Sequence, residues 1–444
     1  MTLPACMMLT RRSALAATMA AVAWRPAFAL EEAPPGQADA LHALNRLAFG
    51  PAPGDLERVT RMGVTAWIAE QLRPERLPLP AFLADQLASL RTPHESQREL
   101  VQGYREMVKE ARQAKQAETA SADGSKPGTE EGAERRRQVA AIYVEAGQER
   151  LLQALNSPRQ LQEVLVDFWF NHFNVFQGKG LDRVLVESYE REAIRPHVLG
   201  RFRTMLGATA KHPAMLFYLD NWLSVAPGYQ PPRRLGAAGA GKASGLNENY
   251  AREVMELHTL GVDGGYTQQD VTQLARILTG WTMLPQQPAR RRFMDDSASG
   301  QGDSMFRFDA SRHDNGSKTW LGHVVAPGGQ IEGEFALDVL ARHPATARHI
   351  ALKLARRFVA DEPSPALVGR LSQRFLDTDG DLRAVVQSLV ESPEFRDPKP
   401  VKFKTPYQFV LSSVRATGIA TTNVKPLMGQ LAQLGQPLYG CQTP

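Results

Sequence analysis

The chain has 444 residues, 43% hydrophobic and 22% charged, with a formal net charge of +5, so it can bury a large core, and length alone allows two or three domains. The positive balance sits at the front: residues 1–29 carry Arg11, Arg12 and Arg25 and no acid, which leaves the rest nearly neutral and gives a nucleic-acid or anionic-membrane partner no support. Of the two cysteines, Cys6 lies in that same segment, so Cys441 alone remains behind it, and neither an internal disulfide nor a CxxC redox pair can form there.

The first segment, TRRSALAATMAAVAWRPAFAL, has a charged start, an apolar run from Ala14 to Trp24 and a small-residue exit at Ala27-Phe28-Ala29. That is the layout of an export signal, with cleavage expected after Ala29 and a run too short to remain as a membrane anchor. The paired arginines followed by Leu15, and the late Arg25, point to the twin-arginine route, although Ala14 and Ala16 stand where Phe and Lys are usual. The expected location is periplasmic or secreted.

Residues 30–444 read as a single, mainly α, multi-helical domain with a small β excursion near residues 300–325. Leu41, Leu44, Leu47 and Ala48 recur at helical spacing up to Gly50-Pro51, and GDLERVTRMGVTAWIAEQL reads as a second short helix. Residues 74–93, rich in Pro and Leu, read as a connection. An insert at about 98–150 pairs two charged helices around a polar stretch at 119–133 that reads as a mobile loop, and ERRR at 134–137 reads as a solvated face. RQLQEVLVDFWFNHFNVFQ is the most hydrophobic helix, with a wide stripe from Leu161 to Trp169. A Gly/Ala/Pro stretch at about 226–245 is a flexible link.

Beyond the link, Thr267 and Asp270 form a capping box for a helix that Gly280 ends. MFRFDASRHDNGSKTWLGHVV predicts short strands around a turn at Asn315-Gly316, after which helices resume. LDTDGDL has calcium-loop spacing, but Leu382 and Ser388 occupy the positions needing Gly and Glu, so a turn with an Asp cap is expected. No GxSxG elbow, phosphate loop or dinucleotide fingerprint is present.

Three polar knots carry what chemistry can be read. NENYAREVMELHTLGV places Asn249, Glu253 and Glu256 on one helical face, with Tyr250, Val254 and Leu257 forming a packing stripe. His258 falls on the far side from Glu256, so the two share a ligand only if the helix ends first, which Gly261 makes reasonable. The competing reading is an ordinary ladder of Glu248, Arg252 and Glu256 at i, i+4, i+8. DFWFNHF sets Asp167, Asn171 and His172 in an aromatic helix, where they need partners or a bound group. SRHDNGSKTWLG puts His313, Asp314 and Lys318 around a turn.

LHALNRLAFGPAPGDLERV, DFWFNHFNVF, the long stretch from NENYAREVMELHTLGV to LARILTGW, HDNGSKTWLG, DGDLRAVVQSLVESPEF and LGQPLYG occur in order, and the chain resembles the bacterial domain-of-unknown-function family 1800. The resemblance implies an exported protein, encoded beside an exported, sulfatase-like family (1501) that is its candidate partner, and relatives that continue past LYGCQTP into an aromatic segment. It implies no activity and no catalytic residue. If the knots meet in space, Glu253, Glu256, His172 and Asp167 are the candidate catalytic groups. His313, His258, Glu253 and Glu256 are then candidate ligands for a divalent metal, with Asn249, Arg252 and Lys318 beside them. Two functions are carried forward: a metal-assisted or acid/base hydrolase-like enzyme acting on an extracytoplasmic polymer or a sulfated or glycosidic substrate, and a non-catalytic helical scaffold, partner or maturation factor. Carboxylates all neutralised by Arg252, Arg276 or Lys318 would favour the second.

Overall fold

The computed structural model describes residues 36–120, 130–230, 245–283, 304–397, 402–419 and 421–442. Residues 1–29, which read as an export signal, the centre of the insert and most of the Gly/Ala/Pro link lie outside the described residues. The chain is mainly α, as its periodicity requires. In order the helices are α1 (Gln37–Leu47), α2 (Asp55–Met62), α3 (Val64–Gln71), α4 (Ala81–Ala88), α5 (Gln97–Ala120), α6 (Glu130–Asn156), α7 (Gln160–His172), α8 (Asp182–Ser188), α9 (Phe202–Lys211), α10 (Pro213–Tyr218), α11 (Asn249–Glu256), α12 (Gln268–Ile277), α13 (Gln330–Arg342), α14 (Pro344–Phe358), α15 (Pro365–Asp377), α16 (Leu382–Val390), α17 (Pro393–Arg396), α18 (Pro406–Thr417) and α19 (Lys425–Gln433).

Two local expectations need correction. GDLERVTRMGVTAWIAEQL forms α2 and α3 rather than one helix, because Gly63 takes φ 86°, a left-handed value that breaks the i→i−4 ladder. The stretch 74–93 is no bare connection, since its apolar residues form α4 and bury Leu83.

The β excursion is two separate two-stranded antiparallel ribbons. β1 (Trp281–Met283) pairs with β2 (Phe306–Phe308), and β3 (Lys318–Trp320) pairs with β4 (His323–Val325). The hairpin turns at Leu321-Gly322, both with positive φ, and not at Asn315-Gly316. Asp314 Oδ1 accepts the Gly316 N–H at 2.8 Å, which makes that earlier turn a side-chain cap before β3.

A single apolar cluster runs from Ala40 to Tyr439, so the two ends of the chain share one core. Arg415 of α18 fixes this closure: it donates to Gly50 O at 2.9 Å and Leu155 O at 2.6 Å and pairs with Asp55 at 2.9 Å. Gly333 lets α13 approach the indole of Trp281, where an added Cβ would meet ring atoms at 2.3 Å. The expected caps are present: Thr267 and Asp270 form a capping box, and the Asp381 side chain caps α16. Among the described residues no helix is long and apolar enough to cross a membrane.

Candidate active site

The three polar knots do not converge on one pocket. His313 is fully buried, with Nδ1 2.8 Å from Thr279 O and Nε2 2.9 Å from Glu332 Oε1. Lys318 Nζ donates to the other Glu332 oxygen at 2.6 Å and to Asp314 O, and Arg276 donates to both Asp314 oxygens. Glu332 also accepts the Gly328 and Gly329 N–H groups at the start of α13. Burial alone would raise its carboxyl, but the Lys318, His313 and Gly328 hydrogen bonds outweigh this and hold it below the ordinary carboxylate value. Every oxygen of the knot has a donor, so His313 and Lys318 serve here as structural partners of Glu332.

Asp167 likewise belongs to a buried ion-pair chain. Arg150 pairs with Asp167 at 2.8 Å and with Glu190 at 2.9 Å, and Arg195 pairs with Glu190 at 3.0 Å and with Glu163 at 2.7 Å. The Arg150 guanidinium lies against the rings of Phe170, Tyr407 and Tyr439, which exclude water from it. Glu190 lies within a π-helical turn, Tyr189–Ile194, and Arg195 directly follows it.

The opening motif differs from both. Its helix stops at Glu256, and the chain turns inward so that His258 N bonds to Glu253 O at 3.1 Å. Gly261 completes the turn at φ 86°, where a Cβ would come within 3.0 Å of His349 Nδ1. His258 therefore leaves the Glu256 face and enters the core beside His172, ring centroids 6.1 Å apart. His172 Nε2 donates to His258 O at 3.0 Å, and among the described residues its Nδ1 and His258 Nε2 have no hydrogen-bond partners. Burial pushes His258 down to about 3, helped by Lys353 and His349, and pushes His172 well below its usual range. Burial also lowers Lys353, in α14, to about 8.

On the outer side of α11, Glu256 accepts the Tyr266 hydroxyl at 3.2 Å, and Arg252 donates to Gln268 at 2.7 Å and lies 3.7 Å from Glu248. Only the Glu248–Arg252 half of the ladder is formed among the described residues. Asn249 is exposed, and its N–H is held by Asn247 Oδ1 at 2.9 Å.

Glu253 is half-buried, its Oε2 is shielded from solvent without a donor, and burial together with the Glu256 charge raises its carboxyl above the ordinary value, with Arg252 opposing. Its electrostatic neighbour is Tyr218, at the end of α10, whose phenol is pushed up to about 12 by burial first and then by Cys441, Asp182 and Glu253. Tyr218 donates to Gln442 O at 2.9 Å, and Asn174 supports the phenol from the end of the α7 segment. Asp182, the first residue of α8, is fully buried with both oxygens unpartnered, and burial raises its carboxyl well above the usual range despite the nearby Lys179. Lys179 itself is held by Tyr218 O at 2.5 Å and Asp220 at 2.9 Å.

Glu253 and Glu256 thus share a helix end, and His172 and His258 share the core behind it, while Asp167, His313 and Lys318 lie in other networks. The expected metal set of His313, His258, Glu253 and Glu256 is not assembled. His313 is turned into Glu332, His258 points inward and Glu256 toward Tyr266. No group of three or more His, Cys, Asp or Glu among the described residues is disposed to hold a metal ion.

The profile of the family described as "Protein of unknown function (DUF1800)" matches residues 42–444. The chain belongs to the DUF1800 family. No curated protein and no solved structure matches it. Membership in DUF1800 supplies no activity and no catalytic residue, so the functional reading of this DUF1800 chain rests on its own geometry. Sequence reasoning missed Asp182, Tyr218 and Lys353. Asp182 reads as an ordinary acid in a first helical turn, and nothing in the sequence shows that it is sealed from water. Lys353 had a legible signal, since His349, Lys353 and Arg357 repeat at i, i+4, i+8 along α14.

Proposed function

We propose that this protein is an exported acid/base hydrolase-like enzyme in which Glu253 transfers the proton. The observation that supports it is the Glu253 carboxyl: half-exposed, one oxygen without a donor, and raised toward neutral pH beside a phenol that stays protonated. Burial and a like charge both favour the protonated form of a carboxyl, the form from which a general acid gives its proton. Tyr218, whose hydroxyl donates to Gln442 O, adds a neutral phenol to the surroundings of Glu253, and burial first, then Glu256 one turn on as a like charge, raise the proton affinity of Glu253. Bonds whose leaving oxygen must be protonated, such as glycosidic linkages or sulfate esters of an extracytoplasmic polymer, are the substrate class. The donor geometry supports the acid/base form of this chemistry rather than one built on a metal held by the motif.

The test begins without a substrate. Carbon-detected NMR titration of the side-chain carboxyls should place Glu253 above an ordinary glutamate, and a Glu253 that titrates normally sinks the proposal. A screen of polysaccharides and sulfate esters follows, in which Glu253→Gln should abolish turnover without lowering the melting temperature. A second reading, a helical partner of another exported protein such as the family-1501 one, draws on the exposed apolar residues Val324 and Ile331. Co-purification of the two proteins that Ile331→Asp abolishes would favour it.

A further inference from the structure

Away from α11, a cleft of about 510 Å³ opens between α1, the end of α14 and the segment leading into α18. The groups that line it with charge are His42, Arg46, Arg357, Lys402 and Lys404, all potential cations, and among the described residues no acid lines it. We propose that this cleft binds a small organic molecule carrying two or more oxyanion groups, carboxylate, sulfate or phosphate.

The charge arrangement argues against a merely solvated face. Among the described residues neither Arg46 nor Lys404 has a hydrogen-bond or ion-pair partner, although each is about half-buried. Arg357 is mostly buried; its Nη2 lies 3.8 Å from Asp167, beyond hydrogen-bond reach, and has no hydrogen-bond partner. Arg46 is pushed down by burial and then by the charge of Arg357, with only Asp361 opposing. The acids nearby are already engaged or outside. Asp361 is exposed and paired with Lys402, Asp167 is bound by Arg150, and Asp39 and Asp397 act weakly on His42. Cations that repel one another in a half-dry cleft destabilise the empty protein, and a bound anion would return that energy.

Size and shape narrow the ligand. The cleft falls within the roughly 300–1,000 Å³ of pockets that hold organic molecules, far beyond what one free oxyanion fills. Leu41 and Ala38 give it an apolar side, and Phe403, 92% exposed, stands at its edge between Lys402 and Lys404. A ring or carbon skeleton against these residues, with anionic groups toward Arg46, Arg357 and Lys404, matches both halves of the lining.

The test is thermal melting of the whole chain at low ionic strength with sodium citrate, inorganic phosphate or inorganic sulfate, each against sodium chloride of equal ionic strength. At least one oxyanion should raise the melting temperature in a saturable way that chloride does not reproduce. Citrate alone would assign a polycarboxylate, and phosphate or sulfate a tetrahedral oxyanion. The double variant Arg46→Gln, Lys404→Gln should melt at or above the wild type and bind the effective anion about tenfold more weakly or worse, whereas Lys425→Gln, at a lysine that does not line the cleft, should respond like the wild type. A structural role for Arg46 predicts the opposite, a lower melting temperature with unchanged anion response. No shift beyond that of chloride, or an equal response from the double variant, overturns the proposal. If the double variant does not fold, the His42 imidazole signal of the wild type decides: the proposal requires it to move on titration with the anion, and an unmoved signal overturns it.

Discussion

Two carboxylates, the buried Glu332 and the half-buried Glu253, show how differently the same side chain can be used. Glu332 is the third residue of α13, where unsatisfied backbone N–H groups are at hand, and it receives two of them along with Lys318 and His313. Glu253 lies inside α11, where the backbone N–H groups are already bonded within the helix, and among the described residues no donor reaches its inner oxygen. Position within a helix therefore decides much of whether a buried acid is fixed as an ion or left with a proton to exchange. Asp167 and Asp182 depart from this pattern: Asp167, inside α7, is held by Arg150 from α6, whereas Asp182, the first residue of α8, is sealed without a donor among the described residues.

The largest expected effect tests the satisfied side of this contrast. Lys318→Met should destabilise by about 3–5 kcal/mol in urea unfolding, because Glu332 is left as a buried charge without its cation. A loss below about 1 kcal/mol would show that the corner relaxes or takes up water, and the contrast would fail.

Next comes the acid sensitivity of the core behind α11. The folded value of His258, about 3, lies below its ordinary 6.5, so the unfolded chain binds the proton more tightly between those values and stability falls as pH drops below 6.5. At pH 5 this one group should account for about 2 kcal/mol of lost stability. Comparing urea unfolding of the wild type and His258→Gln at pH 7 and pH 5 isolates it, since Glu149 and Asp182, which titrate in the opposite direction, cancel between the two proteins. Parallel pH profiles would mean that His258 keeps its ordinary proton affinity in the fold.

Much of this architecture was legible from pattern. The apolar spacing of Leu41 to Leu47, the Thr267 and Asp270 box and the Asp381 cap each act within a few residues, and the structure shows all three. The site was legible only in part, because it depends on pairings across the chain. Nothing near His313 announces Glu332, and nothing near Asp167 announces Arg150, which lies in the insert that reads as a peripheral elaboration. Glu253 stood out for the opposite reason: its neighbours in sequence include one cation, Arg252, which the helix directs outward to Gln268. The early end of α11 was suggested by Gly261, yet the inward turn of His258 depends on His172 and His349, distant in sequence.

A smaller effect tests the unsatisfied side. The Glu253 carboxyl is raised above its ordinary 4.5, so the folded protein binds that proton more tightly and loses stability as pH rises through the shifted value. Glu253→Gln removes this cost. After allowance for the solvent on its open side, the gain at pH 7 should be under about 1 kcal/mol, and it should vanish below pH 4.5. A destabilised Glu253→Gln would place the residue with Glu332 among structural acids.

The smallest expected effect belongs to Arg252, the cation that acts on Glu253 among the described residues. It is 40% exposed at the side chain and 3.7 Å from Glu248, itself 34% exposed, so the pair exchanges little desolvation for little attraction. Arg252→Ala should cost no more than about 0.5 kcal/mol, with the Gln268 contact replaced by water. Because Arg252 also opposes the rise of the Glu253 carboxyl, its removal should move the Glu253 titration further toward neutral pH. The two readouts separate the alternatives for the motif. If Arg252 belongs to a structural ladder, its loss lowers stability and leaves Glu253 unmoved. If it tempers a proton-transferring carboxyl, stability holds and the Glu253 titration shifts.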